Sequence, residues 1–140
     1  IIKHASKNKP LLGICLGMQL LLSKSYEFGE HKGLDLIKGN VEKLTSQKTN
    51  QIKIPHIGWS TINFNKLSKN YENFDKKNFY FVHSYIANTI DPNDTIAFSK
   101  ISNIKIPAVI NHKNITGFQF HPEKSRETGL ELINLFCEQI

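Results

Sequence analysis

The clearest pattern of apolar and polar positions lies near the start of the chain, where an apolar run passes directly into helical spacing. Residues 9–14 end in an apolar run that predicts a strand, and the spacing over 16–25 predicts a helix. Met18, Leu21 and Leu22 recur on one side of that helix, so we expect them to form its buried stripe. The segment therefore predicts a strand, a sharp turn and a helix packed against the sheet.

Strand patterns dominate the rest of the chain. A short apolar turn and a strand are predicted within 34–44, and further extended segments at 53–64, 79–82, 95–99, 107–111 and 115–120. A helix is predicted after Ser125, and the side chains expected on or near its buried face are Leu130, Ile133, Leu135 and Phe136. One strand–helix unit followed by many strands predicts an α/β domain with a mixed sheet and helices on its faces.

The composition is that of a single globular domain. With 140 residues, of which 39% are hydrophobic and 21% charged, the chain is expected to bury one core as one domain over 1–140. No apolar run reaches the roughly 20 residues that a transmembrane helix needs, so we expect no membrane partner.

The net charge of +6 would fit nucleic-acid binding, but the distribution of the basic residues argues against it. All but one of the 18 basic residues are lysines scattered along the chain, and Arg126 is the single arginine. Because arginine makes most specific base contacts and no basic stripe is present, we expect no nucleic-acid partner.

The number and spacing of the cysteines and histidines limit the possible chemistry further. Cys15 and Cys137 are the only cysteines, too few for a disulfide framework, so a reducing cytoplasm is the expected location. Cys137 lies in the C-terminal helix pattern and is expected to be buried. The histidines are too dispersed for metal-ligand spacing, and neither a phosphate loop nor a dinucleotide fingerprint is present, so we expect no metal and no cofactor.

The turn between the first strand and its helix carries the first candidate chemistry. It reads Gly-Ile-Cys-Leu-Gly over 13–17, with Cys15 where a nucleophile stands in a strained strand-to-helix turn. Small residues two places to either side let strand and helix approach closely, and the helix N-terminus is expected to favour the Cys15 thiolate. Taken alone, this pattern fits a buried structural cysteine equally well.

A second segment favours catalysis. The strand at 115–120 ends in His121, and Glu123 follows two residues later. Cysteine catalysis needs a base that takes the thiol proton and a third group that fixes the imidazole tautomer. His121 can be that base and Glu123 the orienting acid, so the two segments together predict a Cys-His-Glu triad.

Four blocks, in order along the chain, resemble the class I (triad) glutamine amidotransferases. They read GICLGMQ over 13–19, PHIGW over 55–59, YFVHSY over 80–85 and FHPEKS over 120–125. Within that family the blocks look most like the glutaminase subunits of imidazole glycerol phosphate synthase, and the resemblance extends from about Lys9 to the end of the chain. It implies the class I amidotransferase fold, in which a mixed, mostly parallel central sheet is flanked by helices.

The resemblance also assigns roles within the predicted site. It makes Cys15 the nucleophile, His121 the base and Glu123 the acid of the triad. The other residues that it marks are Gln19, Ser84 and Tyr85 for holding the substrate glutamine, Leu16 for an oxyanion N–H, and Trp59 and Lys124 for the partner interface. In the family a further βα stretch with a glycine-rich oxyanion loop precedes the elbow strand, so we expect that this chain lacks its first βα stretch.

The activity implied is hydrolysis of glutamine to glutamate and ammonia. In the family the ammonia is channelled to a (β/α)₈-barrel cyclase, the partner in a heterodimer, which forms imidazole glycerol phosphate in histidine biosynthesis. Three alternatives stay open: a similar glutaminase subunit that supplies ammonia to a surface-polysaccharide sugar amidation enzyme, a non-catalytic binding subunit, and a cysteine hydrolase or peptidase acting alone. The loop at 26–33 keeps the first alternative in consideration.

Overall fold

The structure is a computed structural model that describes residues 1–45, 53–65, 70–102, 104–138 and 140. Its α-helices are α1 (Ile2–Ala5), α2 (Leu16–Leu20) and α3 (Arg126–Cys137). Its strands are β1 (Leu11–Ile14), β2 (Lys24–Ser25), β3 (His31–Lys32), β4 (Gly39–Lys43), β5 (His56–Phe64), β6 (Asn78–His83), β7 (Tyr85–Thr89), β8 (Thr95–Ile101), β9 (Ile104–His112) and β10 (Ile115–Phe118). Short 3-10 turns occupy Glu72–Phe74, Pro92–Asp94 and Pro122–Lys124.

The larger sheet has six strands in the order β1-β10-β9-β8-β5-β6. The prediction of a mixed sheet is confirmed, because β1 and β10 are parallel while β10–β9 and β9–β8 are antiparallel. The expectation of mostly parallel strands is wrong for the described strands, since β8–β5 and β5–β6 are antiparallel as well. The short connections between β8, β9 and β10 allow only antiparallel neighbours, whereas a parallel pair needs a crossover of a dozen or more residues.

A smaller sheet in the order β3-β2-β4-β7 lies beside the larger one. Only Ser84 separates β6 from β7, so one extended segment leaves the larger sheet and enters the smaller one. The carbonyl oxygen of Ser84 accepts a hydrogen bond of 2.8 Å from the backbone N–H of Leu44. Ser84 and Tyr85 therefore lie at the junction of the two sheets.

The larger sheet curls so that its edge strand β6 reaches the segment after β10. Within that segment, Gln119 donates its backbone N–H to Ala108 of β9 at 2.9 Å. Two residues on, the N–H of His121 bonds the carbonyl of Tyr80 in β6 at 2.8 Å, forming an isolated bridge. This curl brings the ends of β1, β6 and β10 together, and the candidate site lies there.

Helix α2 packs between the two sheets. Its predicted stripe is confirmed, since Met18, Leu21 and Leu22 are all buried. The helix is shorter than predicted and ends at Leu20, because the N–H groups of Leu21 and Leu22 bond only three residues back and the chain then enters β2. A second core lies on the other face of the larger sheet, where Phe79, Phe81, Phe118 and Phe120 pack together.

Helix α3 buries most of the predicted face, because Ile133, Leu135 and Phe136 are partly buried. Leu132 is fully buried, whereas Leu130 is 54% exposed, so the prediction for Leu130 is wrong. Cys137 is also exposed, which corrects the expectation that it is buried. Among the described helices, none has the length and apolar character required to cross a membrane.

Candidate active site

Cys15 occupies a strained turn between β1 and α2. Its backbone has φ 51° and ψ −107°, outside the regions that non-glycine residues normally occupy. Such strain costs of the order of 1–3 kcal/mol and persists where the surrounding structure enforces it. Here the Cys15 N–H donates to the carbonyl of Phe118 in β10 at 2.7 Å, which holds the turn at the end of the parallel pair.

The two glycines that flank Cys15 differ in how much space surrounds them. A Cβ built on Gly13 would lie 2.6 Å from the carbonyl carbon of Gly17 and 2.7 Å from the backbone nitrogen of Met18. A Cβ on Gly17 would meet nothing within 4 Å. The close approach of strand and helix therefore requires glycine at position 13. A small residue was also expected at position 17, but no described atom lies close enough to exclude a larger side chain there.

The Cys15 thiol contacts two other segments, β6 and the residues after β10. Its Sγ donates to the carbonyl of Val82 at 3.8 Å, and Gln119 donates its Nε2–H to Sγ at 3.9 Å. Both contacts are long, as expected for a weak thiol donor and acceptor. His121 follows β10, the strand paired with β1, but within the described residues no hydrogen bond joins it to Cys15.

Burial dominates the ionisation of this thiol. The pKa of Cys15 is raised above its usual value, mainly because burial disfavours the thiolate. The Leu16 N–H opposes this and lowers the pKa, while the carboxylate of Glu123 raises it further. Lys124 and Gln119 each lower the pKa to a smaller extent. The N-terminus of α2 thus acts in the expected direction through the Leu16 N–H, but burial outweighs it and the net shift is upward.

His121 and Glu123 form the pair that the sequence predicts. The Nδ1 of His121 lies 2.6 Å from Oε1 of Glu123. An ionised carboxylate only accepts, so Nδ1 carries the proton and Nε2 is left free to accept one. The 3-10 turn Pro122–Lys124 folds the chain so that the two side chains meet across a single intervening residue.

The residues predicted to hold substrate meet beside the thiol. Gln19 is buried, and its Nε2 donates to the carbonyl of Tyr85 at 3.1 Å and to Oε1 of Gln119 at 3.3 Å. Ser84 precedes Tyr85 at the junction of the sheets. The fold thus brings Gln19, Ser84 and Tyr85 to the side of the site where Cys15 projects.

An open cavity of about 370 Å³ adjoins this group. Leu16 and Gln19 form its wall toward the elbow, and charged or polar groups come from Glu27, between β2 and β3, and from His31 and Lys32 of β3. The cavity therefore combines an apolar wall with both signs of charge beside Leu16, the residue after Cys15. No group of three or more His, Cys, Asp or Glu side chains within the described part of the chain could hold a metal ion.

Trp59 and Lys124 lie near His121, since Trp59 pairs with Tyr80, which bridges to His121, and Lys124 is in the turn that follows His121. Trp59 is 46% exposed, contacts the ring of Tyr80 edge-on at 6.0 Å, and has the guanidinium of Arg126 5.1 Å from its ring centroid. Lys124 closes the 3-10 turn and acts on the thiol electrostatically, as its effect on the pKa of Cys15 shows. Arg126 is thus an additional cation on this surface that the sequence reasoning did not select.

Gln119 and His56 are further polar residues of the site that were missed, whereas His83, which lacks an acidic companion nearby in the sequence, is expected to be structural rather than a second base. Gln119 is fully buried and links the thiol to Gln19, and His56 pairs with His83 beneath the Tyr85 carbonyl. A polar residue between two phenylalanines in a buried strand was a signal for Gln119. His56 and His83 lie 27 residues apart, so only the strand register shows that they meet.

These features define a class of protein: an enzyme with a cysteine on a strand-to-helix elbow and a histidine–carboxylate pair on the neighbouring strand. The profile of the family described as "Glutamine amidotransferase class-I" matches residues 1–140. The chain belongs to the class I glutamine amidotransferases.

The sequence relatives are more specific. The chain is 41% identical over 141 residues to the imidazole glycerol phosphate synthase subunit HisH of Oceanobacillus iheyensis, covering 100% of the chain and 68% of the relative. It is 45% identical over 141 residues to the subunit HisH of Lactococcus lactis, covering 100% of the chain and 67% of the relative. Both relatives are subunits of this synthase.

Solved structures agree on the fold. A glutamine amidotransferase from Thermotoga maritima superposes with a TM-score of 0.63 at 19% identity, covering 97% of this chain and 50% of that chain. Another glutamine amidotransferase gives a TM-score of 0.66 at 14% identity, covering 97% of this chain and 66% of that one. The chain thus spans about two thirds of its sequence relatives and half of the Thermotoga structure.

Proposed function

We propose that this chain belongs to a glutaminase subunit that hydrolyses glutamine to glutamate and ammonia for imidazole glycerol phosphate synthesis. The observation that carries the proposal is that the strained Cys15 elbow lies at the same sheet edge as the His121–Glu123 pair. In that pair, Nδ1 of His121 lies 2.6 Å from Oε1 of Glu123. The similarity to HisH subunits over the whole chain supports histidine biosynthesis as the pathway.

Glutamine is proposed to bind with its carboxamide toward Cys15 and its amino-acid end in the cavity. The Glu27 carboxylate can pair with the α-ammonium group, and Lys32 can pair with the α-carboxylate. Gln19, with backbone groups of Ser84 and Tyr85, would border the substrate on the opposite side. The charged groups thus supply orientation, while the apolar wall excludes water.

The chemistry then follows a thiol–imidazole sequence. His121 Nε2 takes the proton from Cys15, and the thiolate attacks the carboxamide carbon of glutamine. The Leu16 N–H, which already faces the sulfur, would donate to the developing oxyanion. His121 returns the proton to the leaving ammonia, and a water activated by His121 hydrolyses the glutamyl thioester to glutamate. Glu123 holds the imidazole tautomer and stabilises its charged form.

The surroundings of the Cys15 thiol are those of a site that is not yet arranged for catalysis. Its pKa is raised by burial, and within the described chain no hydrogen bond joins Cys15 to His121. Proton transfer requires the two groups to come within hydrogen-bond reach of each other. We therefore propose that turnover is slow until substrate or a partner draws the nucleophile and base into contact.

The proposed partner is a (β/α)₈-barrel cyclase that receives the ammonia within a heterodimer. A cationic and aromatic rim suited to an acidic partner surface is formed by exposed Trp59, by Arg126 against its ring, and by the neighbouring Lys124. Truncation of the rim residue Lys124 to alanine is expected to weaken association more than it alters ammonia-dependent synthesis by the cyclase.

Both cysteines are free, which supports a cytoplasmic location where thiols stay reduced.

The test of this proposal is glutamate release in the presence and absence of the purified cyclase. We expect glutamine hydrolysis to rise steeply on addition of the cyclase and to saturate at one cyclase per subunit. Stimulation by a sugar amidation enzyme but not by the cyclase would overturn the pathway while leaving the glutaminase activity. Absence of glutamate release with either partner would favour a non-catalytic binding subunit.

A further inference from the structure

Two histidines that the proposed mechanism does not use form a buried pair at the ends of β5 and β6. His56 is 8% exposed and His83 is 6% exposed. The Nδ1 of His56 lies 3.0 Å from Nε2 of His83, and the strand register places the two residues directly opposite each other. Buried polar groups that are so well paired are costly to disturb, so the pair is expected to have one defined arrangement.

The partners of the pair determine that arrangement. His83 Nδ1 lies 2.9 Å from the carbonyl oxygen of Tyr85, which can only accept, so Nδ1 donates and Nε2 accepts. His56 must then donate from Nδ1 to His83 and accept at Nε2. The hydroxyl of Ser60, 2.9 Å from that Nε2, supplies the donor. The chain of donors therefore runs one way, from Ser60 through His56 and His83 to the Tyr85 carbonyl.

The receiving end of this chain is the wall of the substrate site. The Tyr85 carbonyl that accepts from His83 also accepts from Nε2 of Gln19 at 3.1 Å. Gln19 donates in turn to Gln119, whose amide donates to the Cys15 sulfur. The orientation of the Gln19 carboxamide is thus determined jointly by Tyr85 and Gln119, and the Tyr85 carbonyl is held by the histidine pair.

We infer that His83, His56 and Ser60 are positioning residues that orient the Tyr85 carbonyl and, through it, the Gln19 side chain for glutamine binding. The inference rests on the proposed glutaminase function and adds residues to its substrate site. His83 does not serve as a second base in this arrangement, because its one acceptor nitrogen is already occupied by His56.

The ionisation of the pair agrees with this role. Burial lowers the pKa of His83 to about 4, although the hydrogen bond to Tyr85 opposes this, and His56 and His121 lower it to a smaller extent. Burial also lowers the pKa of His56. Both rings therefore stay neutral in assays near neutral pH. The directed chain of hydrogen bonds requires that neutral state, since a doubly protonated His83 could not accept from His56.

The test measures kcat and KM for glutamine in the complex with saturating partner synthase. His83→Leu removes the donor to Tyr85, and we expect KM to rise about tenfold, as for the loss of one buried hydrogen bond, with kcat within about threefold of wild type. His83→Asn keeps a donor at the position of Nδ1 and should return KM to within about threefold of wild type. His112→Leu, which removes a histidine bonded to Asp94 away from the site, is the matched control and should leave KM unchanged.

The outcomes separate the two claims. Absence of turnover by the wild-type complex refutes the proposed function and this inference with it. Wild-type turnover with unchanged KM in His83→Leu overturns the positioning role alone, as does a kcat loss of about a thousandfold at constant KM, which would mark a base. If His83→Leu fails to fold, Ser60→Ala is the deciding variant. A raised KM for glutamine supports the proposed series of hydrogen bonds, and an unchanged KM overturns it.

Discussion

Replacement of Gly13 by alanine tests whether the nucleophile turn depends on close strand–helix contact. The new Cβ would lie 2.6 Å from both the carbonyl carbon and oxygen of Gly17, whereas ordinary contact begins near 3.4 Å. The backbone of α2 must therefore move by roughly 0.8 Å, the difference between the two distances, because no side chain can rotate away. Overpacking of this kind costs about 1–3 kcal/mol.

The same shift should also reach the chemistry, because Cys15 directly precedes the displaced helix. A misplacement near 1 Å can cost about a hundredfold in rate. The assays are thermal unfolding and glutamine hydrolysis with saturating partner, with Gly17→Ala as the matched control for stability. We expect Gly13→Ala to lower the melting temperature by about 3–10 °C, and Gly17→Ala to leave it unchanged or slightly higher, since its Cβ meets open space.

The result that refutes this reasoning is equally specific. If Gly13→Ala and Gly17→Ala have equal melting temperatures and Gly13→Ala retains wild-type turnover, the close approach at the elbow does not constrain the nucleophile. If Gly17→Ala is the more damaging change, a contact outside the described packing occupies the space beside that glycine.

Further predictions concern the triad and its charges. His121→Asn should reduce glutamine turnover nearly as much as loss of the nucleophile, and Glu123→Gln should be milder, because an orienting acid typically contributes less; equal losses would contradict these roles. Lys124→Ala should raise the pKa of the Cys15 thiol and Glu123→Gln should lower it, since the cation favours the thiolate and the carboxylate opposes it. The pH dependence of iodoacetamide alkylation, measured in a Cys137→Ser background, checks both signs, and shifts in the same direction would contradict the electrostatics.

The elements closest to the chemistry were predictable from local sequence. The elbow around Cys15 follows from a glycine pattern between an apolar strand and an apolar helix, and the His121–Glu123 pair follows from a spacing of two residues. The stripe of Met18, Leu21 and Leu22 was predictable because helical periodicity is a local property. Local patterns thus determine what each segment is.

Pairings between distant segments were not predictable in the same way. The opposition of His56 and His83 depends on strand register, and the antiparallel order of the larger sheet depends on which edges meet. For α3, the helical periodicity did not determine which face of the helix turns toward the core. Leu130 was therefore expected to be buried, although Leu132 is the buried residue. The raised pKa of Cys15 likewise depends on burial by other segments, which outweighs the local effect of the helix N-terminus.

The central claim is that Cys15 is the nucleophile that releases ammonia from glutamine for a synthase partner. Its most direct test compares glutamine-dependent and ammonia-dependent synthesis by the complex for wild type and Cys15→Ala. We predict that Cys15→Ala loses glutamine-dependent synthesis by about 10⁴-fold or more, while synthesis from added ammonium salt stays at the wild-type rate. Glutamine-dependent synthesis retained in Cys15→Ala would contradict the account.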